Sequence, residues 1–100
     1  VRSLEEGQGG SRPHVSYRVE LRPAAVRDLR KLEPAIRRRI ASAIDQLAHT
    51  PRPPGVEKLQ GQENRYRVRV GEYRVIYQIE DRVLLVLVVR VGNRRDVYRR

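Results

Sequence analysis

The most constraining stretch of the chain is "YRVRVGEYRVIY", residues 66–77. Polar and apolar residues alternate on both sides of Gly71-Glu72, with Ile76 as the exception, which is the pattern of two half-buried strands joined by a two-residue turn. That turn sets the register. Val70 faces Tyr73, Arg69 faces Arg74, and Val68 faces Val75. Side chains alternate between faces with a period of two. Tyr66, Val68, Val70, Tyr73, Val75, Tyr77 and Ile79 therefore share one face. Arg65, Arg67, Arg69 and Arg74 share the other, with Ile76 and Gln78. Like charges directly opposed across a sheet destabilise it, by roughly 0.2–1 kcal/mol for pair effects of this kind. Glu72 at the turn and Glu80 at the far end leave this outer face without an acidic partner in either strand. An ordinary wet sheet face would mix charges so that they pair. A face of arginines suits a bound anion.

The rest of the chain supplies partners for the hairpin. "SYRVEL" (16–21) alternates and reads as a first strand. Pro23 then opens a helix with the apolar stripe Ala25, Val26, Leu29 and Leu32. Glu33-Pro34 interrupts it, because the residue before proline is pushed out of the helical region. A second helix follows with Ile36, Ile40, Ala43, Ile44 and Leu47 at helical spacing, and ends before the rigid loop "HTPRPPG". "VEKLQGQEN" reads as a connector. After a turn at Glu80-Asp81-Arg82, "VLLVLVVRV" (83–91) is a continuous apolar run of strand length, expected to be buried on both faces between the third strand and the first. The expected fold is α+β, in the order β-α-α-β-β-β: an antiparallel four-stranded sheet with an αα-hairpin on one face. Residues 1–15, rich in Gly, Ser, Glu and Arg, are expected to be a disordered lead or tag remnant, and residues 16–100 the folded domain.

Composition narrows function. The chain of 100 residues has 22 Lys and Arg against 12 Asp and Glu, a formal charge of +10 that attracts polyanions. All but Lys31 and Lys58 of these cations are arginine, whose planar fork suits phosphate. A GC-rich genome would also raise the arginine share, but does not determine where the arginines sit. Cysteine is absent, so there is no disulfide or thiolate chemistry, compatible with a cytoplasmic location. No apolar run reaches the ~18 residues a membrane span needs. The histidines, His14 and His49, lie away from the arginine face, and no metal-ligand cluster is visible. The chain ends "VGNRRDVYRR". Arg94 and Arg95 follow the apolar strand and Tyr98 lies four residues after Arg94. Cations around a tyrosine favour its phenolate; packing on the sheet edge is the structural alternative for Tyr98.

"KLQG" (58–61), "YRVRVGEYRVIY" and "VGNRRDVYR" together resemble the RelE/ParE superfamily of bacterial toxins over about residues 17–99. That resemblance implies the β-α-α-β-β-β fold and the toxin role of a type II toxin–antitoxin system, with a cognate antitoxin as partner. Its RelE branch enters the ribosomal A site and cuts mRNA; its ParE branch inhibits DNA gyrase without nuclease chemistry. Carried over by position, the RelE site falls on Arg67, Arg69, Arg74, Arg94 and Tyr98, all filled by suitable residues. Lys58, Arg65 and Arg95 are flanking candidates for RNA phosphates. Asn93 departs from the His or Lys of many relatives. The expectation is a metal-independent endoribonuclease, needing no cofactor, in which the substrate's 2′-hydroxyl attacks the adjacent phosphate. Tyr98 is the base candidate, and the arginines hold the phosphate and stabilise the transition state. A ParE-like inhibitor, or a non-catalytic nucleic-acid-binding module, remains the alternative. The helix arginines Arg27, Arg30, Arg37, Arg38 and Arg39 suit either ribosomal RNA or plain solvent.

Overall fold

The computed structural model describes residues 16–93. Strand β1 (Arg18–Leu21) leads into helix α1 (Pro23–Arg30) and helix α2 (Pro34–Gln46). Strands β2 (Glu57–Lys58), β3 (Arg65–Val70), β4 (Tyr73–Glu80) and β5 (Leu85–Asn93) follow, with a 3-10 turn at Asp81–Val83 between the last two. Each helix begins on a proline. Its missing N–H is one that a first turn leaves unbonded in any case. Glu33, just before Pro34, is extended at φ −62° and ψ 149°, so the two helices form a bent pair rather than one rod. Arg27 and Arg30 in the last turn of α1 complement the negative end of its dipole.

The sheet has five strands in the order β1-β5-β4-β3-β2. This corrects the four-stranded antiparallel expectation in two ways. First, β1 runs parallel to β5, pairing Arg18 with Leu85 through Leu21 with Val88. No hairpin links these strands; the helical pair and three strands intervene, so nothing local forces them antiparallel. Second, the supposed connector contributes β2, which pairs antiparallel with β3 (Glu57 with Arg67, Lys58 with Tyr66). Two residues in a polar segment carry no alternation to read.

The hairpin register is as expected: Val70 opposes Tyr73, Arg69 opposes Arg74 and Val68 opposes Val75. Gly71, at the first position of the turn, has φ +62°, a conformation glycine adopts without the usual Cβ penalty. The buried core contains Ala25, Ile40, Ile44 and Leu47 from the helices, with Tyr66, Val75, Tyr77, Ile79, Val86, Val88 and Val91 from the sheet. Fully burying one such aliphatic side chain stabilises by about 1.5–3 kcal/mol. The last strand departs from expectation. It starts at Leu85, and Val83 is 60% exposed in the preceding turn. Its burial is one-sided: Val86, Val88 and Val91 are buried, while Leu85, Leu87 and Val89 are half-buried. A register shift explains the odd spacing. Ile76 pairs with Arg90 but Tyr77 with Val88, so β5 carries one extra residue. That bulge lets Val88 and Val91, three apart, face the same core.

Two polar ties fix the ends of the sheet. Beyond the end of β1, the Asp28 carboxylate accepts from the Val91 N–H at 2.8 Å and from Arg90 Nε at 2.8 Å and Nη2 at 3.1 Å. It therefore satisfies a backbone donor that β1 is too short to reach. At the other end, Arg52 of the proline-rich loop donates to both oxygens of Asp81 (3.3 and 2.9 Å), and its guanidinium lies 5.2 Å from the centroid of the Tyr66 ring. Tyr17 Oη donates to Asp81 at 2.6 Å, and Tyr77 Oη to the Pro51 carbonyl at 2.7 Å. Burial pushes the Tyr77 phenol well up, so it remains a neutral donor.

Candidate phosphate-binding site

Helices α1 and α2 pack on the sheet face that carries Tyr66, Val75 and Tyr77. The pleat therefore sends the alternate residues of β3 and β4 to the opposite face. Arg69 and Arg74 are direct cross-strand partners there. Arg67 lies two residues along β3 from Arg69, on the same side, and Arg65 two further. On β5, the residue opposite Arg74 is Gly92. The row across the three strands is thus arginine, arginine, glycine, which places no side chain beside Arg74 from its β5 partner. Asn93 pairs with Tyr73, so the described chain ends against the strand that carries Arg74.

The arginines differ in how they are held. Arg69 is exposed, and its Nε donates to the Gly71 carbonyl at 3.1 Å, drawing the side chain toward the turn. Arg65 donates from Nε to Gln78 Oε1 at 3.4 Å and from Nη1 to Gln62 Oε1 at 3.3 Å, so it is braced along the wet face. Arg67 has 19% of its side chain exposed, and it forms an ion pair with Glu57 of β2. Nε and Nη2 of Arg67 both point to Glu57 Oε1. This corrects the reading that the outer face lacks an acidic partner. The partner comes from the neighbouring strand, not from the hairpin itself. The hydrogen bond and charge of Arg67, with a smaller contribution from Arg74, hold the Glu57 carboxyl below its usual range.

Another cation reaches the turn from the helical layer. A Cβ on Gly71 would stand 3.2 Å from Arg39 Nη1, so the α2 arginine caps the hairpin tip. Sequence reasoning grouped Arg39 with the helix surface, because a contact between α2 and a turn more than thirty residues later leaves no local signal. Lys58 is placed differently from the arginines. It opposes Tyr66 and so projects from the helix-bearing face, at the exposed edge. It also begins the segment Lys58–Glu63, which lines an open hollow of about 640 Å³. Arg94, Arg95 and Tyr98 lie outside the described residues. The structure brings Arg65, Arg67, Arg69 and Arg74 to one face and leaves Lys58 on the other. Guanidinium groups gathered on one face offer the paired N–H donors that phosphate oxygens accept. No helix among the described residues is long and apolar enough to cross a membrane.

Comparison with known proteins places the fold among solved toxins. The family model described as the ParE toxin of the type II toxin–antitoxin system parDE matches residues 19–98. A RelE-like toxin protein of Escherichia coli is 34% identical over 86 residues, covering 82% of this chain and 90% of the relative. The mRNA interferase toxin RelE of Escherichia coli is 27% identical over 88 residues, covering 84% and 92%. Among solved structures, the archaeal RelE–RelB complex of Pyrococcus horikoshii superposes with a TM-score of 0.71 at 32% identity, covering 79% of this chain and 96% of that one.

Proposed function

The chain belongs to the ParE/RelE family of type II toxin–antitoxin toxins, and from that premise we propose that it is a ribosome-dependent mRNA endonuclease. The observation that carries the reading is the direct opposition of Arg69 and Arg74 on the sheet face turned away from the helices. A cost accepted in the empty protein becomes a gain once a phosphate lies between the two guanidinium groups. Similarity to a protein named mRNA interferase toxin RelE supports the same reaction class.

In the proposed reaction the substrate supplies its own nucleophile. The 2′-oxygen forms a bond to the adjacent phosphorus, the phosphorus–5′-oxygen bond breaks, and the products end in a 2′,3′-cyclic phosphate and a 5′-hydroxyl. Tyr98 takes the 2′-proton, its phenolate favoured by the cations adjacent to it in the sequence, Arg94, Arg95, Arg99 and Arg100. Water supplies the proton to the leaving 5′-oxygen, because a guanidinium with a pKa above about 12 is a poor acid. Arg67, Arg69, Arg74 and Arg94 stabilise the charge that develops on the phosphorane oxygens. Arg65 and Arg95 bind flanking phosphates, and Lys58 reaches RNA from the sheet edge. The reaction needs no metal or cofactor, since the guanidinium groups provide the charge. Slow chemistry of this kind depends on a partner that orients the RNA, and the ribosomal A site fills that role.

A cognate antitoxin holds the toxin in check by covering the basic face with acidic residues; the archaeal relative was solved as a complex of RelE with RelB. The test is brief expression in cells followed by primer-extension mapping of mRNA. Codon-phased cuts that vanish in Arg74→Ala and in Tyr98→Phe support the proposal. Undiminished cutting by both variants removes those roles. Arrested replication with DNA breaks and intact mRNA would replace the reading with gyrase inhibition.

A further inference from the structure

Glu57 stands where the charge logic of the site leaves no obvious place for an acid. It lies on a two-residue edge strand, directly opposite Arg67 and on the same face as the arginines. Its carboxylate oxygen Oε1 accepts from Nε and Nη2 of Arg67, one of the two edges by which a guanidinium grips a phosphate. The two partners are unequally held. Arg67 is anchored between strands with 19% of its side chain exposed, whereas Glu57 is 61% exposed at the margin. The acid can therefore swing into solvent while the arginine stays. The influence of both Arg67 and Arg74 on the Glu57 carboxyl shows that it sits within the field of the patch.

We propose that Glu57 is an internal stand-in for the RNA phosphate: it occupies Arg67 in the empty protein and must be displaced for substrate to bind. The inference rests on the arginine face being an RNA site, but not on cleavage. It follows that Glu57 sets the affinity of the site rather than its chemistry. An empty patch of like charges repels itself and attracts any polyanion. A carboxylate that holds Arg67 until a better anion arrives moderates both effects. A binding site whose competent form is partly occluded shows an apparent affinity lowered by that fraction.

The experiment measures binding of a fluorescently labelled 12-nucleotide single-stranded RNA, by anisotropy, to four proteins: wild type, Glu57→Gln, Arg67→Gln and the double variant. Binding is followed from about 50 to 300 mM salt. Glutamine keeps the size and an oxygen acceptor but removes the charge. Glu57→Gln is expected to bind about 2- to 5-fold more tightly, the range a solvent-exposed ion pair allows. Its log–log salt slope should change by less than about 0.7, the value for one phosphate neutralised on a single strand, because Arg67 meets the same phosphate in both proteins. In the Arg67→Gln background the same substitution should yield a clearly smaller gain. Binding by Glu57→Gln that equals or falls below wild type overturns the proposal, as does an equal gain in both backgrounds. The wild-type melting temperature retained by Glu57→Gln would show that the fold is unaffected. A parallel ribosome-programmed cleavage assay separates the two readings: absence of cleavage in wild type removes the endonuclease proposal and leaves the affinity result standing.

Discussion

Replacing Arg69 with glutamate should make the empty protein more stable while destroying its proposed activity. Arg69 and Arg74 are direct partners across the hairpin, and a like-charge pair in that position costs roughly 0.2–1 kcal/mol. An opposite-charge pair there contributes a similar amount with the opposite sign. The change of charge at position 69 is therefore worth about 1 kcal/mol, which raises the melting temperature of a domain this size by about 4–8 °C. Arg69→Gln removes the repulsion without adding an attraction and should yield about half that rise. Both variants lose the Arg69 hydrogen bond to the Gly71 carbonyl, so comparing glutamate with glutamine isolates the charge. The Arg39 guanidinium near the turn adds to the attraction for a glutamate. Thermal melts by circular dichroism at about 10 mM salt test the magnitude. Melts at about 1 M, where the screening length is ~3 Å, should show most of the gap between the two variants closing. The reasoning fails if Arg69→Glu is no more stable than Arg69→Gln at low salt, or if the gap is insensitive to salt.

Two other outcomes follow from the packing and the polar ties. Ile40 is 1% exposed at the centre of the interface between α2 and the sheet, so Ile40→Ala should cost about 2–5 kcal/mol in urea or thermal unfolding. Asp81, held by Arg52 first and then by Tyr17, has its carboxyl below the usual value of 3.8 in the folded protein. A lowered folded-state value means that the stabilisation is complete above the unfolded value and is lost as pH falls through the folded one. The melting-temperature difference between wild type and Asp81→Asn should therefore be greatest near pH 7 and should shrink from about pH 5 to pH 2. A difference that stays constant across that range would show that the tie does not act through charge.

The parts of the fold legible in the sequence are those set by local rules. The Gly71-Glu72 turn and the alternation around it determine which residues face which, so the placement of Arg67, Arg69 and Arg74 on one face could be read from twelve residues. The first helix start was legible because Pro23 suits a first turn, and the break between the helices because Glu33 precedes a proline. What escaped was decided by contacts between distant segments. The parallel direction of β1 depends on how the helical pair returns the chain, not on any alternation within "RVEL". Strand β2 was hidden because two polar residues carry no period; its available signal was weak, the apolar Val56 and Leu59 bracketing Glu57-Lys58. Missing β2 meant missing Glu57, and with it the ion pair that qualifies the picture of an uncompensated arginine face. The bulge in β5 was hidden for a related reason: "LVLVVRV" is apolar at nearly every position, so a one-residue slip leaves no mark in the pattern. The ties from Asp28 to Arg90 and from Arg52 to Asp81 span 62 and 29 residues, and no motif announces either.

The central claim is that the arginines brought together by the hairpin register act on a scissile RNA phosphate. Its most direct test is single-turnover cleavage of mRNA on programmed ribosomes, with wild type beside Arg74→Gln and with the product ends identified chemically. The account predicts A-site cuts that leave a 2′,3′-cyclic phosphate and a 5′-hydroxyl, slowed by about 10²–10³-fold in Arg74→Gln, the range for removing one donor to developing charge. Cleavage by Arg74→Gln at the wild-type rate, or wild-type products ending in a 3′-hydroxyl and a 5′-phosphate, would contradict it.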